Sequence, residues 1–365
     1  MGMTGEGMAR VLVFGPCTIM GGGGMDTYIL NCFSRMENID IHIAKIYPNI
    51  LYEKKYLDFG MKVIRFVNPR KNLFKSIYQI YKYIKYQNIN VIYMNMGRAF
   101  LFFPLVPIII SKILKIKKVI IHAHSSSTNN LIRKIFHIVS RNWFILTSTR
   151  LACSDLAGKW FFKNNYIIIN NAIDLNLFSF SSSERNIVRK KLNIENNYVI
   201  GYVGRMTMEK NTIFLLDTFY EAQKLNNMKL LLIGQGVMEN KIRERCKVLN
   251  IEDKVIILKH RNDVSSLLQA MDYFLLPSFF EGFPMVLVEA QAAGLRCLVS
   301  DTVSRTVALT NLVEFKALNE GSFLWAKHIC DNLTYERNIS PIKTLTDKGF
   351  NIVDEARRVE AIILN

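Results

Sequence analysis

Pro277-Ser278-Phe279-Phe280-Glu281-Gly282-Phe283-Pro284-Met285-Val286-Leu287-Val288-Glu289-Ala290-Gln291-Ala292-Ala293-Gly294 is the stretch that decides the fold. The apolar run 273–276 just before it reads as a buried strand that stops at Pro277. A short loop follows, punctuated by Gly282 and Pro284, and then a helix that closes at Gly294. Proline at a helix start and glycine just past its end is the expected asymmetry. Residues 296–300 make the next strand, so the whole is one β-loop-α-β unit of a parallel sheet. Ligands of open α/β sheets bind beyond the carboxyl ends of the strands, at loops and helix N-termini. Glu281 lies in that loop, and Glu289 follows a little over two helical turns later, so both can edge one cleft. A loop cap and a solvated helix residue would be the plain alternative. Against it, Glu289 is set in Val286-Leu287-Val288-Glu289-Ala290, a run too apolar for a surface helix, so its charge must face something polar.

Working outward, the same architecture repeats. Strand 199–203 runs into Gly204-Arg205-Met206-Thr207-Met208-Glu209-Lys210-Asn211. Two cations in a strand-end loop before a helix suit a diphosphate, Arg as a fork and Lys as a mobile point charge, or else they are solvated loop charges. Strand 230–233 ends in Gly234-Gln235-Gly236, and strand 255–259 in His260-Arg261-Asn262-Asp263. Upstream, strand 10–14 leads into Gly21-Gly22-Gly23-Gly24 and a helical pattern over 26–36, where a glycine turn lets backbone N–H groups approach phosphate. Further strands are expected at 41–46, 62–67, 91–94, 119–123 and 167–170, and a strand-to-helix corner at 151–158. Alternation puts His122 and His124 on the same side of their strand end, with no third ligand near, which disfavours a metal. Residues 71–86 form a basic amphipathic helix, and 101–110 a Pro-broken apolar helix too short to span a bilayer. A last helix is expected over 345–364.

The run around Glu281 and Glu289 resembles the Glu-x7-Glu signature of retaining glycosyltransferases of family four, which have the GT-B fold. Leu-Leu-Pro-Ser-Phe-Phe-Glu-Gly-Phe-Pro with Glu-Ala-Gln-Ala-Ala-Gly is most similar to the branch that builds capsule and exopolysaccharide. The Gly-Arg-x4-Lys-Asn pattern of the 204–211 loop and the segment Asn171-Ala172-Ile173-Asp174 extend the resemblance over most of the chain. The resemblance implies that Arg205 and Lys210 hold a donor diphosphate. It implies that Glu281 holds the donor sugar near its anomeric carbon and Glu289 the ribose diol. Gly282, Phe283 and Pro284 line the donor site with them. Gly23 and Gly24 come close to the donor pyrophosphate, His124 to the donor sugar, and Arg261 to the nucleotide base. The stretch Asp301-Thr302-Val303-Ser304-Arg305 departs from the family's Gly-rich or Glu-bearing pattern at the inner rim of that site.

At 365 residues with half of them apolar, the chain can fill two cores. The six cysteines are scattered without a C-x-x-C, as in a reducing compartment, and residues 1–8 read as an unstructured leader without a secretory h-region. Net charge is +17, of which residues 1–178 carry +15 and the remainder +2. Such an asymmetry points to a polyanionic partner of the first half. A membrane surface, nucleic acid or a phosphate-rich substrate would answer to it. No nucleic-acid recognition module is legible there, so nucleic acid is not expected, and an anionic membrane surface is the expected partner because a lipid-linked acceptor is expected.

Together with the resemblance, these observations imply an α/β chain of two Rossmann-like domains facing a central cleft. Residues 9–178 are expected to take the acceptor, 179–344 the nucleotide sugar, and 345–365 to cross back to the first domain. The expected reaction moves a hexosyl unit from a UDP-sugar to a saccharide acceptor, polyprenyl-diphosphate-linked, at the cytoplasmic face of the membrane. No D-x-D motif is present, so no metal and no cofactor are expected, and the two cations would stabilise the leaving diphosphate. Two alternatives stay open: a sugar-nucleotide epimerase of the same fold, and a non-catalytic UDP-sugar-binding partner of a polysaccharide assembly complex.

Overall fold

The computed structural model describes all residues except 1–7, 16–23, 47–52, 70, 98–104, 126–130, 142–143, 145–146, 148, 260, 335–336 and 338–340. The chain divides into two compact units, residues 1–172 with 351–365, and residues 173–350.

The first unit is built on seven parallel strands: β1 (Ala9–Phe14), β2 (Ile39–Lys45), β3 (Lys62–Arg65), β4 (Val91–Met96), β5 (Lys118–Ala123), β6 (Thr149–Ala152) and β7 (Ile167–Ile168). Their order is β3-β2-β1-β4-β5-β6-β7. Register pairs Val11 with Ile41 on one side and with Val91 on the other. All six residues of β4 are buried, because helices cover both faces, and this is why the parallel strands read as unbroken apolar runs. On one face, Tyr28, Ile29, Cys32 and Phe33 pack with Ile352, Ala356, Val359 and Ile363. On the other, Ile80, Ile84, Ile108, Ile110, Phe161 and Phe162 form a second core layer.

The second unit has six parallel strands: β8 (Tyr198–Val203), β9 (Met228–Ile233), β10 (Val255–Leu258), β11 (Tyr273–Leu276), β12 (Arg296–Ser300) and β13 (Val313–Lys316). The order is β10-β9-β8-β11-β12-β13. The expected pair of Rossmann-like α/β units is therefore present. The sequence reading missed β13, where Val313 and Phe315 alternate with Glu314 and Lys316 at a sheet edge.

The helix expected over 345–364 is two helices, Ile342–Asp347 and Ile352–Leu364. Gly349, at φ 78°, breaks them, as a left-handed glycine commonly ends a helix. Leu345 and Phe350 stay in an apolar cluster of the second unit with Ile173, Leu175, Val288, Ala292 and Leu309. The helix Ile352–Leu364 belongs to the first unit, where Lys118 Nζ donates to the Ile362 carbonyl at 2.6 Å and Asn38 N–H to Glu360 Oε1 at 3.0 Å.

Candidate functional site

Connections of the second sheet run from β8 outward to β9 and β10, then return to place β11 on the other side of β8. The carboxyl ends of β8 and β11 thus flank a topological switch point, where open α/β sheets leave a crevice. The loops that follow these two strands are the ones carrying Lys210 and Glu281. Lys210 Nζ lies 2.6 Å from both Glu281 carboxylate oxygens, and Ser278 Oγ donates to Oε1 at 2.7 Å. The Glu281 side chain is 7% exposed and that of Lys210 20%. A backbone bond from Phe279 N–H to the Glu209 carbonyl, 2.8 Å, ties the two loops together. Thr302 Oγ1 donates to the Ser278 carbonyl at 2.9 Å and shares a 2.8 Å bond with Ser300 Oγ. Three loops, after β8, β11 and β12, therefore meet around one desolvated carboxylate.

The loop after β9 closes in from the far side of β8. Gly234 sits at φ +144°, and a Cβ there would come within 1.9 Å of the Gly204 carbonyl oxygen. At Gly236 it would come within 2.3 Å of the Met206 carbonyl oxygen. Only residues without a Cβ allow Met206 N–H to reach the Gln235 carbonyl and Met238 N–H the Met206 carbonyl, both at 3.0 Å. The loop holding Arg205 is shaped from both sides. Tyr202 OH donates to the Arg205 carbonyl at 3.1 Å, while the exposed Arg205 guanidinium makes no ion pair or hydrogen bond among the described residues.

Glu289 occupies the helix Met285–Ala292, between buried Val288 and Ala290. No described donor reaches its carboxylate, and burial pushes its pKa up from 4.5 to about 7. A half-buried carboxylate without a described protein donor is suited to accepting hydroxyl groups from a ligand. Phe283 stacks on Phe350 with ring centroids 5.6 Å apart and planes 9° from parallel. Pro284 is the buried residue before the helix, and Gly282 is exposed with nothing within 4 Å of where a Cβ would be. Arg261 is held by Asp263, with Nε to Oδ1 at 2.7 Å and Nη2 to Oδ2 at 2.6 Å, so its fork faces its own loop.

In the first unit the switch point lies between β1 and β4. Gly23 lies outside the described residues, and Gly24 opens the helix Gly24–Phe33. His124 follows β5, with Nε2 2.9 Å from Asn95 Oδ1 and its backbone N–H 2.8 Å from the Met96 carbonyl. The rings of His122 and His124 are 4.1 Å apart, on the same side as alternation requires. Tyr28 OH, Tyr93 OH and His122 Nδ1 continue as a chain of 3.3 and 2.8 Å bonds. Desolvation pulls the His124 pKa down to about 3, with Asn171 acting weakly against it. With Asn95 Oδ1 as acceptor, Nε2 carries the proton of a neutral ring. Among the described residues no cluster of His, Cys, Asp and Glu could hold a metal ion.

Lys210 with Glu281 is the pair that the structure brings together. Ser278 and Thr302 are the site residues to which sequence reading gave no role, and the Gly234-Gln235-Gly236 turn that it marked shapes the Arg205 loop. Ser278 and Thr302 are small hydroxyl residues two places past strand ends, and that position was their only signal.

A family model described as "Glycosyl transferases group 1" matches residues 184–313, which contain Arg205, Lys210, Glu281 and Glu289. EpsF of Bacillus subtilis (strain 168) is 30% identical over 221 residues, 57% of this chain and 58% of that protein. The chain therefore spans less than two thirds of that relative's length. An Escherichia coli protein, named UDP-Gal:alpha-D-GlcNAc-diphosphoundecaprenol alpha-1,3-galactosyltransferase, is 23% identical over 313 residues, 80% of this chain and 79% of its own length. The crystal structure of Anabaena Alr3699/HepE in complex with UDP superposes with a TM-score of 0.74 at 17% identity, over 97% of this chain and 95% of that one.

Proposed function

We propose that the chain, whose residues 184–313 match the group 1 glycosyl transferase model and which has the GT-B fold, is a glycosyltransferase that moves a hexosyl unit from a UDP-sugar to a saccharide carried on a polyprenyl diphosphate. The observation that carries the reading is the switch point of the second unit. There the guanidinium of Arg205 and the carboxylate of Glu289, both without a partner among the described residues, and the Lys210–Glu281 pair are the polar groups a nucleoside diphosphate sugar needs. The E. coli relative's name, which specifies a UDP-sugar donor and a diphosphoundecaprenol acceptor, supports the substrate classes.

In this reading the bond between the anomeric carbon and the β-phosphate oxygen breaks, and UDP leaves with the electron pair. Arg205 and Lys210 take up the charge that develops on the diphosphate, in place of a metal ion. The acceptor hydroxyl attacks the anomeric carbon from the face UDP leaves, and its proton passes to the departing phosphate oxygen, so configuration is retained. Glu281 holds sugar hydroxyls and Glu289 the ribose diol. His124, neutral at physiological pH, serves as a hydrogen-bonding group and not as a proton shuttle. A screen of UDP-sugars that reads UDP release, with and without lipid-linked saccharides, tests the proposal. Release that requires the acceptor is expected. Consumption of the UDP-sugar with no second saccharide substrate favours the epimerase, and binding of the UDP-sugar without turnover a scaffold.

A further inference from the structure

Between Phe59 and Ser154 the chain has sixteen Lys or Arg and no Asp or Glu. Much of this segment forms three helices, Leu73–Tyr86, Leu105–Ile113 and Leu131–Ser140. All three lie on one face of the first sheet. Ile80, Ile84, Ile108 and Ile110 share one core cluster, and His137 stacks at 4.2 Å on Trp160, which packs against the same cluster.

The outward sides of these helices are not the usual solvated faces. On the first, Phe74 (84% exposed), Tyr78 (62%) and Tyr86 project with Lys75, Lys82 and Lys85. At 3.6 residues per turn these six positions fall within an arc of roughly 120°. Lys82 Nζ lies 6.0 Å from the Tyr78 ring centroid and 5.8 Å from that of Tyr86. On the second, Ile109 and Ile113 flank Lys112, all exposed. On the third, Leu131 (72%), Ile135, Ile138 and Val139 stand at i, i+4, i+7 and i+8 beside Lys134, an apolar stripe turned to water. Soluble surfaces rarely carry large apolar side chains grouped in this way.

We infer that the outer sides of these three helices form one surface that docks on a bilayer rich in anionic lipid, with Lys75, Lys82, Lys85, Lys112 and Lys134 at the headgroups and Phe74, Tyr78, Leu131 and Ile135 in the boundary beneath. Charge complementarity chooses the occupant. A segment free of acids, with none of these lysines in an ion pair among the described residues, matches a continuous negative surface. Aliphatic side chains standing among the lysines gain nothing from a nucleic-acid backbone but are buried by the acyl boundary. No described helix is long and apolar enough to cross a membrane, so the contact is at the interface. The inference shares with the proposed function only the lipid-linked acceptor. Vesicle binding is read without donor or acceptor, so the two can fail separately.

Co-sedimentation of the full chain with phosphatidylglycerol-rich and with neutral phosphatidylcholine vesicles tests it. Binding is expected on the first only, with release in high salt. The triple variant Lys75→Glu, Lys82→Glu, Lys85→Glu and the triple variant Phe74→Ser, Leu131→Ser, Ile135→Ser should each weaken binding at least tenfold, with UDP affinity unchanged. Tyr78→Trp provides a second readout: its emission should shift to the blue on anionic vesicles and be quenched by brominated lipid. Binding that ignores lipid charge, or survives either triple variant, overturns the inference. So does a Tyr78→Trp emission that vesicles leave unchanged. Self-association, or capture of an oligonucleotide, that both triple variants abolish while vesicles are not bound would assign the surface to a second copy or to nucleic acid instead.

Discussion

Replacing Lys210 by Met keeps most of the side-chain stem and removes the charge. In the structure that charge contacts both oxygens of Glu281 at 2.6 Å, and among the described residues the carboxylate's other side-chain donor is Ser278 Oγ at 2.7 Å. At an effective dielectric of about 20, unit charges about 4 Å apart attract by about 4 kcal/mol. Desolvating both ends and fixing a lysine side chain take back much of this. A net coupling of about 1–3 kcal/mol remains, to be read from a double-mutant cycle with Glu281→Gln in thermal or urea unfolding. Nucleotide binding should respond in opposite senses. Lys210→Met removes a charge-assisted bond to the diphosphate, about 1.5–3 kcal/mol or roughly 10- to 150-fold in Kd for UDP. Glu281→Gln removes the carboxylate that competes for Lys210, so UDP affinity should hold or rise while turnover falls. Calorimetry with UDP on the wild type, the two single variants and the double variant separates these effects. An unchanged UDP Kd in Lys210→Met, or stability effects that add within about 0.5 kcal/mol, would refute the reasoning.

Glu289, raised to about 7, should make uridine affinity increase as pH rises through about 7, because the ionised carboxylate accepts the ribose hydroxyls; Glu289→Gln should flatten that profile, and a flat wild-type profile would contradict the assignment. His124 has a folded pKa of about 3 against the ordinary 6.5, so the unfolded chain binds the proton first as pH falls. Its contribution to stability is complete above about pH 6.5 and is lost between there and about pH 3, at about 1.4 kcal/mol per pH unit, and His124→Gln should make urea titrations across that window less steep. Gly234→Ala must accommodate a Cβ 1.9 Å from a backbone oxygen at a positive φ, so it should destabilise the second unit by about 2 kcal/mol or more; an unshifted melting temperature would show that the loop relaxes freely. Because two cations, Arg205 and Lys210, are proposed to stabilise the diphosphate, EDTA should leave turnover unchanged, and activity lost to EDTA and restored by Mg²⁺ would contradict that role.

Most of the fold was legible because parallel strands buried on both faces read as unbroken apolar runs, each ended by a loop signal such as Pro277, Gly204 or Gly234. The edge strand Val313–Lys316 was not, because a half-exposed edge alternates and carries charge. The break at Gly349 was overlooked because apolar residues at helical spacing continue through it, while Phe350 is claimed by another cluster. Within the site, Arg205, Lys210, Glu281 and Glu289 stood out as charges in apolar or strand-end settings. Their pairing was not visible: Lys210 and Glu281 are 71 residues apart, and only the strand order β8-β11 makes them neighbours. Arg261, which only the resemblance placed near the base, has its fork already occupied by Asp263, two residues on. Ser278 and Thr302 carry no charge and no periodicity, so their roles emerge only from the contacts they make.

The central claim is transfer of a hexosyl unit from a UDP-sugar to a lipid-linked saccharide, and it is tested most directly on the product. The purified protein is incubated with the UDP-hexose that supports UDP release and with an undecaprenyl-diphosphate-linked sugar, and the lipid fraction is read by mass spectrometry and by NMR of the new anomeric proton. The account predicts one added hexosyl unit, with the donor's anomeric configuration retained and with the addition lost in Lys210→Met and Glu281→Gln. Consumption of the UDP-hexose with the acceptor's mass unchanged, or a product of inverted configuration, would contradict it.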